Sequence, residues 1–316
     1  MEGKKDNGMD FVTSLCEEYR AHNYIDPSYY ERWGVKRGLR NADGTGVLAG
    51  VTQIGNVLGY YVQDGERYPM DGKLIYRGIN VEDIVRGFEA EDRFGFEEVV
   101  WLLIFGQLPT RGQYESICRL LYENRELPEY FAEDMIIKAP SKDIMNKLGR
   151  SVLALYSYDS NPDETSLENI MRQSISLIAR MPTIMTYAYQ VKRRHYDKKS
   201  MYFHPIKPEH STAESILRSI RPDKKFNDEE AKLLDLLMII HAEHGGGNNS
   251  TFTTRVLSSS GTDTYAAISA AIGSLKGPKH GGANHRVMQM MECVKEKVKD
   301  WKDEDEVERS EERRVG

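Results

Sequence analysis

Residues 241–251 have the sequence HAEHGGGNNST, and residues 277–284 have the sequence GPKHGGAN. Both segments follow apolar runs of helical character and set histidines beside glycines, which end helices and leave the backbone open to close approach. A helix end of this kind can receive a small anion, and histidine can donate hydrogen bonds or move protons near neutral pH. The two segments therefore predict a binding site for a small anionic substrate.

Helical patterns surround both segments. Asn227 and Glu230 have the spacing of a capping box, and an apolar run leads from them to His241. The three-residue spacing of His241 and His244 predicts two imidazoles on one helix face, one turn apart, with the helix stopped by the glycines at 245–247. A last helix that begins near residue 281 places His280 at its amino end.

The remaining chain predicts a mainly α fold. Residues 99–105 and 143–157 carry helical apolar patterns, and a long helix is expected to start at Asn161. The β signal is confined to residues 58–78, where two Asp-Gly pairs, at 64–65 and 71–72, predict hairpin-type turns. This small β hairpin near the N-terminus is too small to organise 316 residues.

Three segments are expected along the chain. Residues 1–57 form N-terminal helices and a loop, and residues 58–295 form a large helical domain with the histidine segments. Residues 296–316 form a charged tail without an apolar face, which is typical of disorder. The last residues of that tail, 308–316, look unlike the end of a natural domain and are interpreted as non-native sequence.

Composition excludes several classes of protein. The net charge is -6, so no global basic field would gather nucleic acid or a membrane surface. Cys16, Cys118 and Cys293 are odd in number and far apart, which favours a reducing compartment over a disulfide framework. The N-terminus lacks a signal-peptide pattern, and no apolar run reaches the ~20 residues that span a bilayer. A soluble, cytoplasmic protein is expected.

The histidines predict a particular chemistry. Amide dipoles at a helix start disfavour the imidazolium form, and a neutral ring at His280 can donate a hydrogen bond to a carbonyl oxygen as it becomes an enolate or enol. The neighbouring glycines leave room for an acyl chain, and His241 and His244 can bind the carboxylates or ketone of a small oxo-acid. The alternative is that His280 only caps its helix and that the other two only pack.

Two other kinds of site are less well supported. His241 and His244 could hold two corners of a zinc site, but no third ligand is evident, so no metal is predicted. The serines at 258–260 lack the Gly-x-Ser-x-Gly turn of a nucleophilic serine and are interpreted as turn formers.

Taken together, the motifs resemble the citrate synthase family, which includes the 2-methylcitrate synthases. The resemblance extends from about residue 59 to residue 291. It rests on these segments, in this order: YRG at 76–78, EEVVWLL at 97–103, G-x-LPT at 106–110, DIM at 143–145, MPTI at 181–184, HAEH at 241–244 and GP-x-HGGAN at 277–284. The last two are highly specific in that order and spacing.

The resemblance implies an almost all-helical fold and an obligate homodimer, with the dimer seam near residues 143–157 and 228–244. It implies condensation of oxaloacetate with acetyl-CoA or another short acyl-CoA to give citrate and CoA. His280 would then stabilise the enol of the thioester. The substrate-binding residues would be His241, His244, Gly281, Gly282 and Asn284. No metal or organic cofactor is implied beyond the CoA thioester, which is a substrate.

One departure from the family pattern bears on activity. The family continues with Gly-x-Gly-His-x-Val, then Asp-Pro-Arg, and later an Asp that serves as the base, and these motifs do not occur in this sequence. A C-terminally truncated synthase is therefore expected, with the small domain largely missing and little or no activity. The alternative is a non-catalytic oligomeric paralogue that binds oxaloacetate or acts as a scaffold.

Overall fold

The computed structural model describes residues 26–34, 36, 39, 41, 47, 52–303 and 305–307, and for residues 283–285 it describes the backbone alone. The chain divides into two compact units, Met1–Ala49 and Gly50–Gly316. The described part of the first unit contains the short helix α1 (Ser28–Arg32). All further elements belong to the second unit.

A small antiparallel sheet begins the second unit. Its strands are β1 (Gly55–Gln63), β2 (Glu66–Tyr76) and β3 (Ile79–Asn80), in that spatial order. The predicted turn at Asp64–Gly65 joins β1 to β2, and both residues have positive φ, 53° and 84°. Two successive residues of positive φ match the right-handed twist of a hairpin, which explains the Asp-Gly pair.

The second predicted turn, at Asp71–Gly72, is wrong. Both residues lie inside β2, where the pairing slips: Leu58 pairs with Lys73, but Tyr60 pairs with Pro69. Three residues of β2 thus oppose one of β1, so the Asp-Gly pair occupies an irregularity in the ladder. The second turn lies instead at residues 77–78, which have φ values of 50° and 87°.

Helices make up most of the rest of the described chain, which confirms the mainly α fold. They are α2 (Val81–Ala90), α3 (Phe96–Phe105), α4 (Arg111–Glu123), α5 (Ile144–Ala154), α6 (Leu167–His195), α7 (Thr212–Ile220), α8 (Asp228–His241), α9 (Asn249–Ser258), α10 (Thr264–Lys276) and α11 (Gly282–Lys297). A π-helical segment (Ala132–Ile137) and a 3-10 turn (Leu155–Tyr158) complete the order.

Local side chains set most helix starts. The predicted capping box of α8 is present: Asn227 Oδ1 accepts from the Glu230 amide at 2.8 Å, and the Glu230 carboxylate accepts from the Asn227 amide at 2.9 Å. The start of α6 differs from the prediction, because Ser166 caps it rather than Asn161. The Asn169 side chain donates to the Asn161 and Glu164 carbonyls and so holds residues 161–165 as a loop.

Three hydrophobic clusters hold the helices together. The largest joins α5, α6 and α10, the second joins the sheet to α2, α3 and α8, and the third joins α3, α4 and α6. Gly149 of α5 lies against Ile272 of α10, and the Ser269 hydroxyl donates to the Gly149 carbonyl at 2.8 Å. The fully buried members include Val99, Leu102, Val152, Ile184 and Ile239.

The segment boundaries predicted at residues 57/58 and 295/296 both fall inside elements of the structure. The first lies within β1, which begins at Gly55, and the second lies within α11, which continues to Lys297. Beyond α11, the amides of Lys299 and Asp300 donate to the Glu306 carboxylate. Residues 308–316, for which a non-native origin is predicted, lie outside the described residues, as does Cys16. Cys118 and Cys293 are free thiols. No helix in the described part of the chain is both long and apolar enough to cross a bilayer.

Candidate active site

The carboxyl end of α8 is fixed by a buried tyrosine. The Tyr76 hydroxyl donates to the Ile239 carbonyl at 2.7 Å, and it accepts from the Glu243 amide at 3.3 Å. In a continuing helix, the Glu243 amide would bond directly to the Ile239 carbonyl. The hydroxyl stands between the two groups, so α8 ends at His241. Burial raises the pKa of Tyr76, which keeps the hydroxyl protonated and able to donate.

This ending corrects the prediction for the two histidines of the first segment. His241 is the last residue of α8 and His244 lies beyond it, so the rings do not share a helix face. The reason is non-local, because Tyr76 acts from the end of β2. His241 Nδ1 lies 2.7 Å from the Leu237 carbonyl, which can only accept, so Nδ1 carries a proton. Both rings are exposed.

The loop after α8 is held against the start of the sheet. A Cβ built on Gly55 would lie 2.5 Å from Glu243 Cγ, and one built on Gly246 would lie 3.0 Å from Thr52 Cγ2. The Glu243 carboxylate also accepts from the Gly245 amide at 2.5 Å, and Gly245 has a φ of 100°. A side chain at Gly55 would displace Glu243, one at Gly246 would press on Thr52, and the positive φ of Gly245 favours glycine, so this loop packs closely on the start of the sheet.

The second half of the segment starts α9. Asn248 Oδ1 accepts from the Thr251 amide at 2.9 Å and caps the helix, while the Asn248 amide group donates to the Gly245 carbonyl and to Thr251 Oγ1. Ser250 lies in the first turn of α9. Its hydroxyl donates to the Ala271 carbonyl of α10 at 3.0 Å.

Ser250 also contacts His280. Its Oγ lies 3.1 Å from His280 Nε2, across 30 residues of sequence. His280 sits in the turn between α10 and α11, where the His280 and Gly281 amides both donate to the Gly277 carbonyl at 3.0 and 2.9 Å. The ring is half-buried and precedes α11 by two residues, so its predicted placement at the amino end of that helix is confirmed.

The glycines after His280 differ in their surroundings. A Cβ on Gly281 would lie 1.9 Å from the Leu275 carbonyl oxygen, so Gly281 permits the return of the chain over the end of α10. A Cβ on Gly282 would have open space within 4 Å. Asn284 belongs to α11, but its side chain lies outside the described residues.

The structure joins His280 to the 248–251 segment through Ser250. Among the hydrogen bonds, ion pairs and ring contacts of the described residues, none links the His241 or His244 ring to the other or to His280. No group of three or more His, Cys, Asp or Glu side chains in that part of the chain is arranged to hold a metal ion.

Sequence reasoning missed the roles of Ser250 and Tyr76. Both lie within quoted motifs, HAEHGGGNNST and YRG, yet their partners are distant in sequence. The neighbour of Tyr76 was missed as well: Arg77 Nε and Nη2 donate to the Leu103 carbonyl at the end of α3, at 3.0 and 2.6 Å. Two adjacent side chains thus bind the carboxyl ends of two helices.

The fold is that of citrate synthases. The solved structure of the citrate synthase from Pyrobaculum aerophilum matches 83% of this chain and 63% of its own, with a TM-score of 0.66 and 26% identity. A ternary complex of the Thermoplasma acidophilum citrate synthase with carboxymethyl coenzyme A and oxaloacetate matches 80% of this chain and 59% of its own, with a TM-score of 0.64. Its identity is 24%, so this second likeness concerns the fold alone.

Sequence comparison gives the family. The family model described as "Citrate synthase, C-terminal domain" matches residues 41–315. The Synechocystis citrate synthase is 33% identical over 71% of this chain, and 2-methylcitrate synthase 1 of Corynebacterium glutamicum is 32% identical over 81% of it. The chain therefore belongs to the citrate synthase family. It spans only 53% and 61% of the lengths of these two relatives.

Proposed function

We propose that the chain carries the substrate-binding part of a synthase that condenses oxaloacetate with acetyl-CoA, or another short acyl-CoA. In this reaction the methyl carbon of the thioester, after loss of a proton, bonds to the ketone carbon of oxaloacetate. Water then cleaves the thioester to give citrate and CoA. Family membership and the contact between Ser250 and His280 support the proposal.

The Ser250 contact bears directly on which nitrogen of His280 can serve the substrate. The hydroxyl has one proton and two acceptors within reach, Ala271 O and His280 Nε2. In the structure that proton goes to Ala271 O, so we propose that it turns to Nε2 when the substrate binds; the neutral ring then carries its own proton on Nδ1, which can donate. We assign that Nδ1–H to the thioester oxygen as it gains enolate charge, where a preorganised donor lowers the barrier.

His241 and His244 would bind oxaloacetate. Because His241 Nδ1 already donates to Leu237 O, only Nε2 faces the substrate. A carboxylate accepts hydrogen bonds and does not donate them, so Nε2 must also carry a proton to bind it. His241 would therefore hold oxaloacetate in its imidazolium form, at the carboxyl end of α8 where a cation is favoured.

We further propose that the 316-residue chain has little or no synthase activity of its own. The Gly-x-Gly-His-x-Val and Asp-Pro-Arg motifs of the family do not occur in the sequence. Removing one member of a cooperating catalytic set commonly costs about 10³-fold or more in rate. Substrate binding and turnover would thus be separable in this chain.

Calorimetry with oxaloacetate and an assay of CoA release test this proposal. The unaltered chain should bind oxaloacetate, and His241→Ala should weaken binding at least tenfold, since a charged hydrogen bond is worth about 1.5–3 kcal/mol. His195→Ala, at the exposed end of α6, is the matched control and should bind normally. CoA release should be near background. Normal oxaloacetate binding by His241→Ala would contradict the proposed role.

We also propose a homodimer with α8 at its seam. The buried face of α8 consists of Ala231, Asp235 and Ile239, yet Leu233, Leu237 and Ile240 form a second stripe that is 59%, 44% and 42% exposed. Spacings of four and three residues place the exposed stripe on one helix face. A helix that is apolar on two sides is typical of an element covered by a partner.

A further inference from the structure

The small sheet has an edge that carries no charge. β1 lies at the end of the strand order, and among the described residues its backbone pairs with β2 alone. The nine residues of β1, GNVLGYYVQ, include no Asp, Glu, Lys or Arg. Natural proteins protect such edges with charged side chains or proline, because the free N–H and C=O groups would otherwise pair with another strand. β2 carries four charged residues and a proline, so the unprotected strand is the one at the edge.

The outer half of the hairpin contacts mainly itself. Every residue from 59 to 69 is exposed. The Tyr61 ring stacks on the Tyr68 ring with centroids 5.4 Å apart, and the Arg67 guanidinium lies 5.0 Å from the centre of the Tyr60 ring. These contacts lie on the faces of the ribbon and do not involve the backbone edge of β1. A two-stranded ribbon is only marginally stable in water, so a further strand at this edge would stabilise it.

The edge of β1 is complementary to itself. When a second β1 runs antiparallel about a twofold axis at Gly59, all nine residues have a partner. Val57 of one copy then lies opposite Tyr61 of the other, and Leu58 lies opposite Tyr60, each pair occurring twice. Cross-strand pairs of aromatic and aliphatic side chains stabilise a sheet, and no like charges meet. Val57, Tyr60 and Tyr61 are 54%, 50% and 48% exposed, so all three have area left to bury.

We propose that β1 is a self-association surface, at which two copies of the chain join edge to edge in one continuous antiparallel sheet. Strand addition of this kind takes its affinity from main-chain hydrogen bonds. Because the same edge is used in both copies, the contact closes on two chains. One pair of nine-residue strands is smaller than the roughly 1,600 Å² of a stable interface, so this contact alone is weak and forms at high protein concentration. It is separate from the proposed α8 seam.

Disulfide trapping tests the proposal on the whole chain. A Cβ at Gly59 has open space, and Gly59 does not have a positive φ, so Gly59→Cys fits the strand. In the twofold pairing the two introduced thiols are directly opposite, with Cα atoms about 5 Å apart, which a disulfide can bridge. Gly72→Cys is the matched control, since it is equally open but lies on β2, three strand spacings or roughly 14 Å from its counterpart.

Mild oxidation at high protein concentration should link Gly59→Cys into a covalent dimer at least tenfold faster than Gly72→Cys. The unaltered chain, with its three native cysteines, gives the background rate, and peptide mass spectrometry identifies the linked residues. The Gly59→Cys link should also form in the Leu237→Glu background, where the proposed α8 dimer is disrupted.

Gly59→Lys gives a readout without oxidation. It places two like charges opposite each other in the pairing, whereas Gly72→Lys adds the same charge to β2. Sedimentation velocity in the Leu237→Glu background, over a concentration series that begins with dilute monomer, measures the average mass. The mass should rise with concentration for Gly72→Lys and stay that of a monomer for Gly59→Lys. The cysteine variants, with a smaller side chain, cover the case in which a lysine variant fails to fold.

Equal linking rates for Gly59→Cys and Gly72→Cys, or an equal rise in mass for the two lysine variants, overturn the proposal. Absence of a Gly59→Cys link overturns it too, and is the result expected when another segment of this chain covers the edge. A link that forms in the wild-type background and is lost with Leu237→Glu would assign the contact to the α8 seam and overturn the separate surface. The α8 seam itself fails only on the mass of the Leu237→Glu protein, so the two proposals are distinguished.

Discussion

At the scale of single residues, Gly281 and Gly282 are neighbours with opposite constraints. Gly281→Ala should destabilise the protein by about 3 kcal/mol, because its Cβ would collide with a backbone oxygen that cannot rotate away. Gly282→Ala has open space and lies in the first turn of α11, so it should be neutral or stabilising by up to about 1 kcal/mol. Urea unfolding of both variants measures the difference. If both variants change the free energy of unfolding equally, the close approach of Gly281 to the Leu275 carbonyl is wrong.

Asp235 gives a residue-level dependence on pH. Its carboxylate accepts from the Gly95 amide at 2.8 Å and the Phe96 amide at 3.3 Å, at the start of α3. Burial, with a contribution from the charge of Glu97, raises its pKa to about 6 despite these bonds and the charge of Arg93. The folded protein thus binds this proton more tightly than the unfolded chain, whose value is 3.8.

The sign of the effect on stability follows from that difference. As pH rises from about 4 to about 6, Asp235 loses up to about 3 kcal/mol of its contribution to the free energy of unfolding. Asp235→Asn should remove this pH dependence. The free energy of unfolding of the wild type should therefore fall steadily relative to that of the variant as pH rises from about 4 to about 6. Urea unfolding at several pH values measures it. If the difference in free energy of unfolding between the two proteins is the same at pH 4 and pH 6, Asp235 does not titrate in that range.

At the scale of elements, the YRG turn organises two helix ends. Tyr76 bridges the end of α8 and Arg77 binds the end of α3. Tyr76→Phe should lower the free energy of unfolding by about 1–3 kcal/mol, since it leaves the Ile239 carbonyl and the Glu243 amide without their partner. Amide exchange at residues 241–245 should also become faster. Tyr61→Phe, on the exposed face of the hairpin, should change neither measurement.

The helix ends also show what sequence alone can predict. The α8 capping box and the Asp64–Gly65 turn depend on groups within a few residues, so their spacing predicts them. The end of α8 at His241 depends on Tyr76, more than 160 residues away. Spacing rules carry no information about such a partner, and so the shared helix face for His241 and His244 was wrong.

The candidate site also has features that the sequence predicts and features that it does not. Residue type and order predicted the family and the place of His280, because glycines and proline mark the turn before α11 directly. The partner of that ring, Ser250, could not be predicted, since the packing of α9 on α10 brings it there.

At the scale of the whole molecule, the exposed stripe of α8 predicts the assembly. Leu237→Glu should convert the proposed dimer to a monomer, because a carboxylate in the centre of an apolar interface is strongly disfavoured. Leu120→Glu is the matched control, since Leu120 is 40% exposed on α4, outside the proposed seam. Sedimentation velocity reports the mass of each. If the wild type is a monomer, or if Leu237→Glu is still a dimer, the proposed homodimer with α8 at its interface is wrong.

The central claim is that the His280 ring, set by Ser250, donates to the oxygen of an acyl-CoA that is gaining charge. Carboxymethyl-CoA carries a negatively charged carboxylate in place of the acyl group, so it serves as the probe, and calorimetry in the presence of saturating oxaloacetate measures its affinity for this chain. We predict at least a tenfold loss for His280→Ala and an unchanged affinity for Lys279→Ala, whose exposed side chain is adjacent. Wild-type affinity in His280→Ala, or no saturable binding by the unaltered chain, would contradict the claim.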